Sequence, residues 1–279
     1  MTVLDATLLV VAKAPVPGLA KTRLAATLGN LAAADLAAAA LLDTLDAVAS
    51  TPVARRVVAL TGELSDACRS VEIRSRLGEF TVVPQRGDGF ARRLANAHRD
   101  AAGGGPVLQI GMDTPQITPD LLGECVRSLL GATAALGRAR DGGWWALGVA
   151  DSAYAQSLVG VPMSRSDTAA ITAAALIRSG AAPVTLPVLT DVDDHADLAE
   201  VRAQCEPGSR FARADEGTAV LAGQESAGAI VRARLGMGRQ HEQAALLRRL
   251  SIGPLPLLIC LLRRPLLLMQ GFQTLISTR

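Results

Sequence analysis

Leu8-Leu9-Val10-Val11-Ala12-Lys13-Ala14-Pro15-Val16-Pro17-Gly18-Leu19-Ala20-Lys21-Thr22-Arg23 opens as an apolar run and closes as a Pro- and Gly-shaped loop carrying three cations. The run Thr7–Ala12 reads as a buried strand and the loop leads into a helical pattern. Lys13 and Lys21 are the only two lysines in the chain; every other basic residue is arginine. A strand that empties into such a loop before a helix suits a polyphosphate, because helix-start N–H groups attract anions and ammonium groups add mobile charge. Two solvated loop lysines are the plain alternative.

Working outward, apolar runs alternate with helical patterns to about residue 205. Strands are expected at Val57–Leu60, Thr81–Val83, Val107–Gly111, Trp144–Val149 and Val184–Leu186. Helices are expected at Ala32–Ser50, Phe90–Ala101, Pro119–Leu130, Asp167–Ser179 and Ala196–Gln204. Continuous apolar strands separated by helices indicate a Rossmann-like three-layer α/β/α sandwich with a mainly parallel sheet. Such sheets bind ligands beyond the carboxyl ends of their strands.

The chain has 279 residues, 49% of them hydrophobic but only 3% aromatic, and a net charge of +2. That balance lacks the basic excess of a nucleic-acid binder. Cys68, Cys125, Cys205 and Cys260 are scattered without a C-x-x-C pair, so they read as thiols of a cytoplasmic protein. Asp5 stands where a secretion signal carries positive charge. The expected organisation is a nucleotide-binding domain over 1–205, a linker over 206–228 and a basic, apolar extension over 229–279. In that extension Ile252–Leu262 is too short to span a bilayer, and Arg263-Arg264-Pro265 interrupts it. The extension reads first as a segment packed on the domain or without a role, and second as a contact with an anionic membrane surface.

Three further segments carry chemistry. Gly111-Met112-Asp113-Thr114-Pro115 ends a buried strand and sets the Asp113 carboxylate at the crevice, where a hard cation such as Mg²⁺ or Mn²⁺ bridges a carboxylate to a phosphate. Thr190-Asp191-Val192-Asp193-Asp194-His195-Ala196-Asp197 crowds acids whose repulsion a cation relieves, making Asp193 or Asp191 a candidate second ligand. Asp194 reads as a helix N-cap with Asp197 at N3. Asp141-Gly142-Gly143 is a tight turn in which paired glycines admit a ligand to the backbone and Asp141 accepts from sugar hydroxyls, or simply a turn. Gln85–Phe90 is a weaker candidate for lining the crevice. Ala20 before Lys21-Thr22 excludes a P-loop, and neither G-x-G-x-x-G after the first strand nor G-x-S-x-G occurs.

In order, residues 12–24, 111–115, 141–148 and 191–198 resemble the rSAM/selenodomain-associated transferase family, which has the glycosyltransferase-A, or nucleotide-diphospho-sugar transferase, fold. The Lys21-Thr22-Arg23-Leu24 loop is also similar to that of 2-phospholactate guanylyltransferases. The resemblance covers roughly residues 5–204. It implies a nucleotide or nucleotide-sugar donor held by Lys13, Pro17, Gly18, Lys21 and Arg23, with Mg²⁺ or Mn²⁺ on Asp113 and Asp193. Asp141, Gly142 and Gly143 then meet the sugar or a small-molecule or lipid-linked acceptor, while Lys21, Arg23 and Asp113 carry catalysis. The family often has Ser, a Tyr pair and Thr where this chain has Met112, Trp144-Trp145 and Asp194. The expected activity is metal-dependent nucleotidyl or glycosyl transfer, the alternative a non-catalytic nucleotide-binding module recruited through its tail.

Overall fold

The computed structural model of the chain describes residues 2–214. Its fourteen elements are β1 (Leu4–Lys13), α1 (Thr22–Leu28), α2 (Asn30–Ser50), β2 (Val53–Thr61), α3 (Ser70–Leu77), β3 (Thr81–Pro84), α4 (Phe90–Ala101), β4 (Val107–Ile110), α5 (Pro119–Leu130), β5 (Ala134–Ala139), β6 (Trp144–Val149), α6 (Thr168–Arg178), β7 (Pro183–Leu189) and α7 (His195–Gln204), with 3₁₀ turns at Leu64–Asp66 and Ser152–Gly160. They build one seven-stranded sheet in the order β3-β2-β1-β4-β6-β5-β7. Every pairing is parallel except those of β6, which runs antiparallel to β4 and to β5.

The apolar run of β1 explains its central place. Leu8, Leu9 and Val10 are fully buried, and a strand covered on both faces has no need of a polar side. Leu8 and Val10 face the layer of α2, α3 and α5, meeting Leu41, Leu45 and Val126. Leu9 and Val11 face α4, α6 and the Ser152–Gly160 turn, meeting Leu94, Leu158 and Leu176. Each such aliphatic side chain contributes about 1.5–3 kcal/mol relative to exposure.

Helix starts follow local chemistry. Thr118 caps α5, accepting from Leu121 N at 3.2 Å, with Pro119 in the first turn. Gly29, at φ +85°, is at once the C-cap of α1 and the N-cap of α2, a conformation that favours a residue without Cβ.

Alanine lets α2 be covered on two sides. Ala33, Leu36 and Ala40 turn away from the sheet to meet α1, α7 and Phe211 in a third core cluster. That cluster carries the packed chain past the expected boundary at 205. Residues 210–214 form a helical turn, Phe211 is 1% exposed, and Asp43 accepts from Phe211 N at 2.7 Å and from Arg210 N at 3.1 Å. Residues 206–214 are therefore part of the domain rather than of a linker. The expected linker beyond 214 and the basic extension lie outside the described residues. Among the described residues no helix is long and apolar enough to cross a membrane.

Phe211→Ala removes a buried ring from this junction and is expected to lower stability by about 3–5 kcal/mol. Thermal unfolding of the full chain checks this; a midpoint within a degree of wild type means that the turn at 210–214 is not docked.

Candidate functional site

The loop after β1 is built to turn side chains inward. Gly18 (φ +78°) and Lys21 (φ +48°) both occupy the left-handed region. For lysine that conformation costs on the order of 1 kcal/mol and persists only where contacts hold it. Leu19 N and Ala20 N donate to Val16 O, and Lys13 Nζ closes the loop on itself through Leu19 O at 2.6 Å. Lys21 is the N-cap residue of α1, and its side chain is only 11% exposed. Its ammonium lies 2.8 Å from Asp113 Oδ1 and donates to the carbonyl of Val192. Because α1 is seven residues long, the helix dipole adds little, and the cations carry the electrostatics.

Asp113 follows β4. Val192 N donates to Asp113 O at 2.9 Å, Gln116 Nε2 donates to Thr190 O at 2.6 Å, and Lys13 N donates to Met112 Sδ at 3.2 Å. Three loops, after β1, β4 and β7, are thus tied together at the C-terminal ends of their strands.

The acids after β7 divide their roles. Asp194 accepts from Ala196 N and Asp197 N, while Asp197 Oδ2 accepts from the N–H groups of Asp193 and Asp194. This is the expected capping box, and His195 stands exposed in the first turn of α7. Asp193 pairs with Arg23 at the solvent edge, the two side chains being 39% and 70% exposed. Asp191 is more enclosed. Burial pushes its carboxyl up to about 6, the negative charges of Asp141 and Asp113 push the same way, and Lys21 opposes them.

The 140–143 hairpin gives Gly142 a reason of its own. Its φ is +91°, and a Cβ there would fall 1.8 Å from Ser166 O. The glycine admits the 163–168 loop; a ligand is not what demands it. Asp141 Oδ1 accepts from Gly143 N at 2.7 Å, closing the turn and leaving the second carboxylate oxygen for other contacts. Trp145 is a core residue, 2% exposed, donating to Pro187 O at 2.8 Å.

These elements enclose a cleft of about 660 Å³. Lys13, Arg23, Asp113, Asp141, Gly143 and Asp193 line it, as does Asp191. Lys21 reaches it through Asp113. Pro17, Gly18 and Gly142 shape neighbouring backbone without lining it. Asp113 and Asp193 reach one cleft, yet each is ion-paired to a cation of the N-terminal loop. Among the described residues no three His, Cys, Asp or Glu side chains form a closed ion cage. Gln85 is placed here too, donating to Ala12 O at 2.8 Å and Ala59 O at 2.9 Å. Of the wall formed by Phe90, Arg93, Gln109, Trp144 and Met163, Phe90 closes the Gln85–Phe90 candidate and Trp144 follows the Asp141-Gly142-Gly143 turn, whereas Arg93, Gln109 and Met163 belong to no candidate segment.

Residues 44–165 match a family described as uncharacterised protein conserved in bacteria, DUF2064. No curated protein matches the chain. Among solved structures, a provisionally named nucleotide-diphospho-sugar transferase from Desulfovibrio desulfuricans G20 is similar at 24% identity and a TM-score of 0.67, over 78% of this chain and 97% of that one. That likeness shows the nucleotide-diphospho-sugar transferase fold. Fainter likenesses are to CMP:2-keto-3-deoxy-manno-octonic acid synthetase complexed with CTP, at 14% identity, TM-score 0.46, 71% of this chain and 97% of that one. A 4-diphosphocytidyl-2C-methyl-D-erythritol synthase gives 14% identity, TM-score 0.45, 73% and 100%.

Since the folded-state pKa of Asp191 is raised to about 6 from 3.8, the folded form binds the extra proton between those values. Stability is therefore lost as pH rises through that window. Asp191→Asn is expected to gain on the order of 1 kcal/mol at pH 7.5, after discounting for partial exposure, and almost nothing at pH 3.5. Denaturant titration at the two pH values checks it; a gain of equal size at both contradicts the assignment.

Proposed function

We propose that the chain is a divalent-cation-dependent transferase that takes its donor from a nucleoside triphosphate or a nucleotide-sugar. The observation that carries the reading is the Lys21 ammonium held against Asp113, a residue that lines the cleft, with Arg23 and Lys13 of the same loop lining it as well. A desolvated ammonium on a carboxylate, at the strand ends where such sheets take ligands, is an arrangement that a phosphate and a cation together can replace. Lys21 then exchanges Asp113 for phosphate oxygens, and Asp113 is left facing Asp191.

The donor set fits a hard cation. Burial first, and the negative charges of Asp141 and Asp113 after it, raise the Asp191 carboxyl to about 6, a cost that a cation relieves, and oxygen-only carboxylate ligation suits Mg²⁺ or Mn²⁺. Asp113 with Asp191 would hold it, Asp193 remaining with Arg23 or turning inward as a further ligand. When bound, such a cation neutralises and orients the polyphosphate.

The chain's own groups do the rest. Lys13, Lys21 and Arg23 stabilise the charge that accumulates on the departing phosphate, and Asp141 with Gly143 orients the transferred or accepting group. In nucleotidyl transfer an acceptor oxygen attacks the α-phosphorus and pyrophosphate leaves. In glycosyl transfer it attacks the anomeric carbon and a nucleoside diphosphate leaves. Neither requires a covalent enzyme intermediate, so positioning and electrostatics supply the rate. The provisional name of the Desulfovibrio desulfuricans protein of like fold agrees with a donor of this kind.

Calorimetry with Mn²⁺ and a panel of nucleotides and nucleotide-sugars tests the reading. Asp113→Asn is expected to weaken metal-dependent binding at least a hundredfold while circular dichroism stays that of wild type. Wild-type affinity in this variant refutes the role of Asp113, and release of pyrophosphate or nucleoside diphosphate tells the two chemistries apart.

A further inference from the structure

The lining of the cleft carries two kinds of chemistry. Asp113 and Asp141 lie near enough to Asp191 for their negative charges to act on it. Elsewhere in the same lining stand polar groups that find no hydrogen-bond partner among the described residues. The Trp144 indole N–H is buried without a hydrogen-bond partner. Arg93 has its Nε buried and unpartnered, no carboxylate pairs with it among the described residues, and its guanidinium stands 5.8 Å from the centre of the Phe90 ring. Gln109 is 2% exposed yet lines the cleft. Its carboxamide oxygen is buried and finds no hydrogen-bond partner among the described residues, and the same holds for both ring nitrogens of His98, whose pKa burial drives down to about 4.

Two unpaired donors on one wall, one of them on a cationic side chain, suit an anion. A buried donor left unpaired has given up its hydrogen bond to water without replacement, a loss that a ligand oxygen recovers. The same wall is apolar between the donors. Met163 lines the cleft, and Phe90, 45% exposed, continues with Val159, Val161 and Met163 into an adjoining hollow of about 310 Å³. Arg165 cannot supply or quench the charge, being engaged with Asp167 at 2.8 Å.

We infer that the wall of the cleft lined by Arg93, Gln109 and Trp144 is the acceptor subsite, and that it takes a small molecule joining a carboxylate or phosphate to an apolar body. The assignment as acceptor rests on the transferase reading above; the preference for an apolar anion rests on the wall alone. The anion is held by the guanidinium of Arg93 and the indole N–H of Trp144, and the apolar portion lies along Phe90 and Met163.

The chain's two tryptophans make the test direct. Trp145 is fixed to Pro187 O, so a ligand at this wall alters the emission of Trp144. The full chain is titrated with phenyl phosphate, phenylacetate, inorganic phosphate and the neutral 2-phenylethanol, each with and without Mn²⁺ and a non-hydrolysable nucleoside triphosphate. At least one aromatic anion is expected to change the emission saturably, binding tenfold or more tighter than both the neutral compound and inorganic phosphate. The tighter of the two anions identifies phosphate or carboxylate as the natural group. Arg93→Gln is expected to weaken that anion at least tenfold and to leave Mn²⁺–nucleotide affinity unchanged. Equal binding of the neutral compound overturns the inference, as does no response to either anion in either condition. Loss of nucleotide affinity in Arg93→Gln overturns it as well, by assigning the guanidinium to the donor phosphates. If wild type binds the aromatic anion but no nucleotide, the transferase reading fails and the anion site stands.

Discussion

The ammonium of Lys21, almost withdrawn from water between the Asp113 carboxylate and the Val192 carbonyl, is the contact on which the arrangement of the cleft depends. A charge in that position must be paired, and its partners, Asp113 and Val192, come from loops 92 and 171 residues further along the chain. The left-handed backbone at Lys21 is what points the side chain there. The backbone bond from Val192 to Asp113 and the Gln116–Thr190 bond hold the other two loops at the right separation. Without the pair, the Lys21 ammonium would stand buried with no countercharge, and the loop after β1 would lose its side-chain anchor on the loop after β4.

The acidic run after β7 shows how neighbours in sequence can serve unlike ends. Asp194 and Asp197 spend their oxygens on the first turn of α7. Asp193 is drawn to the rim by Arg23, where solvent weakens the pair to a fraction of a kcal/mol or so. Asp191, left with neither cap nor cation of its own, is the one whose protonation depends on what enters the cleft. Its position two residues from Asp193 puts both on one side of an extended chain; what separates them is the reach of Arg23.

Much of the fold could be read directly. β1, β2, β4 and β6 announce themselves as apolar runs, and the loops at 13–23, 111–115 and 191–197 as local chemistry. β5 could not. Ala134-Ala135-Leu136-Gly137-Arg138-Ala139 contains no β-branched residue, and it extends only because β6 and β7 hold it on both sides. Gly137 is required there by the Trp145 indole, which lies 2.6 Å from where its Cβ would be, a constraint set by a partner strand. Helix α3 buries only Ile73 and Leu77 among charged side chains, too little for a periodic signal. In the cleft, the roles of Arg93, Gln109 and Trp144 depend on which polar atoms find no partner in three dimensions, and hydropathy is blind to that.

The reversed strand has a consequence for how this cleft can be remodelled. Because β6 runs against its neighbours, its beginning rather than its end meets the ligand space, and β5 and β6 are joined beside that space by a four-residue hairpin. Elsewhere in the sheet, a change to the rim must be accommodated by a crossover helix packed across a face. At the hairpin, residues can be added, removed or exchanged with no helix re-routed, the limit being the carbonyl of Ser166 against Gly142. Divergence of substrate preference among proteins of this architecture should therefore concentrate in the length and composition of that one short connection.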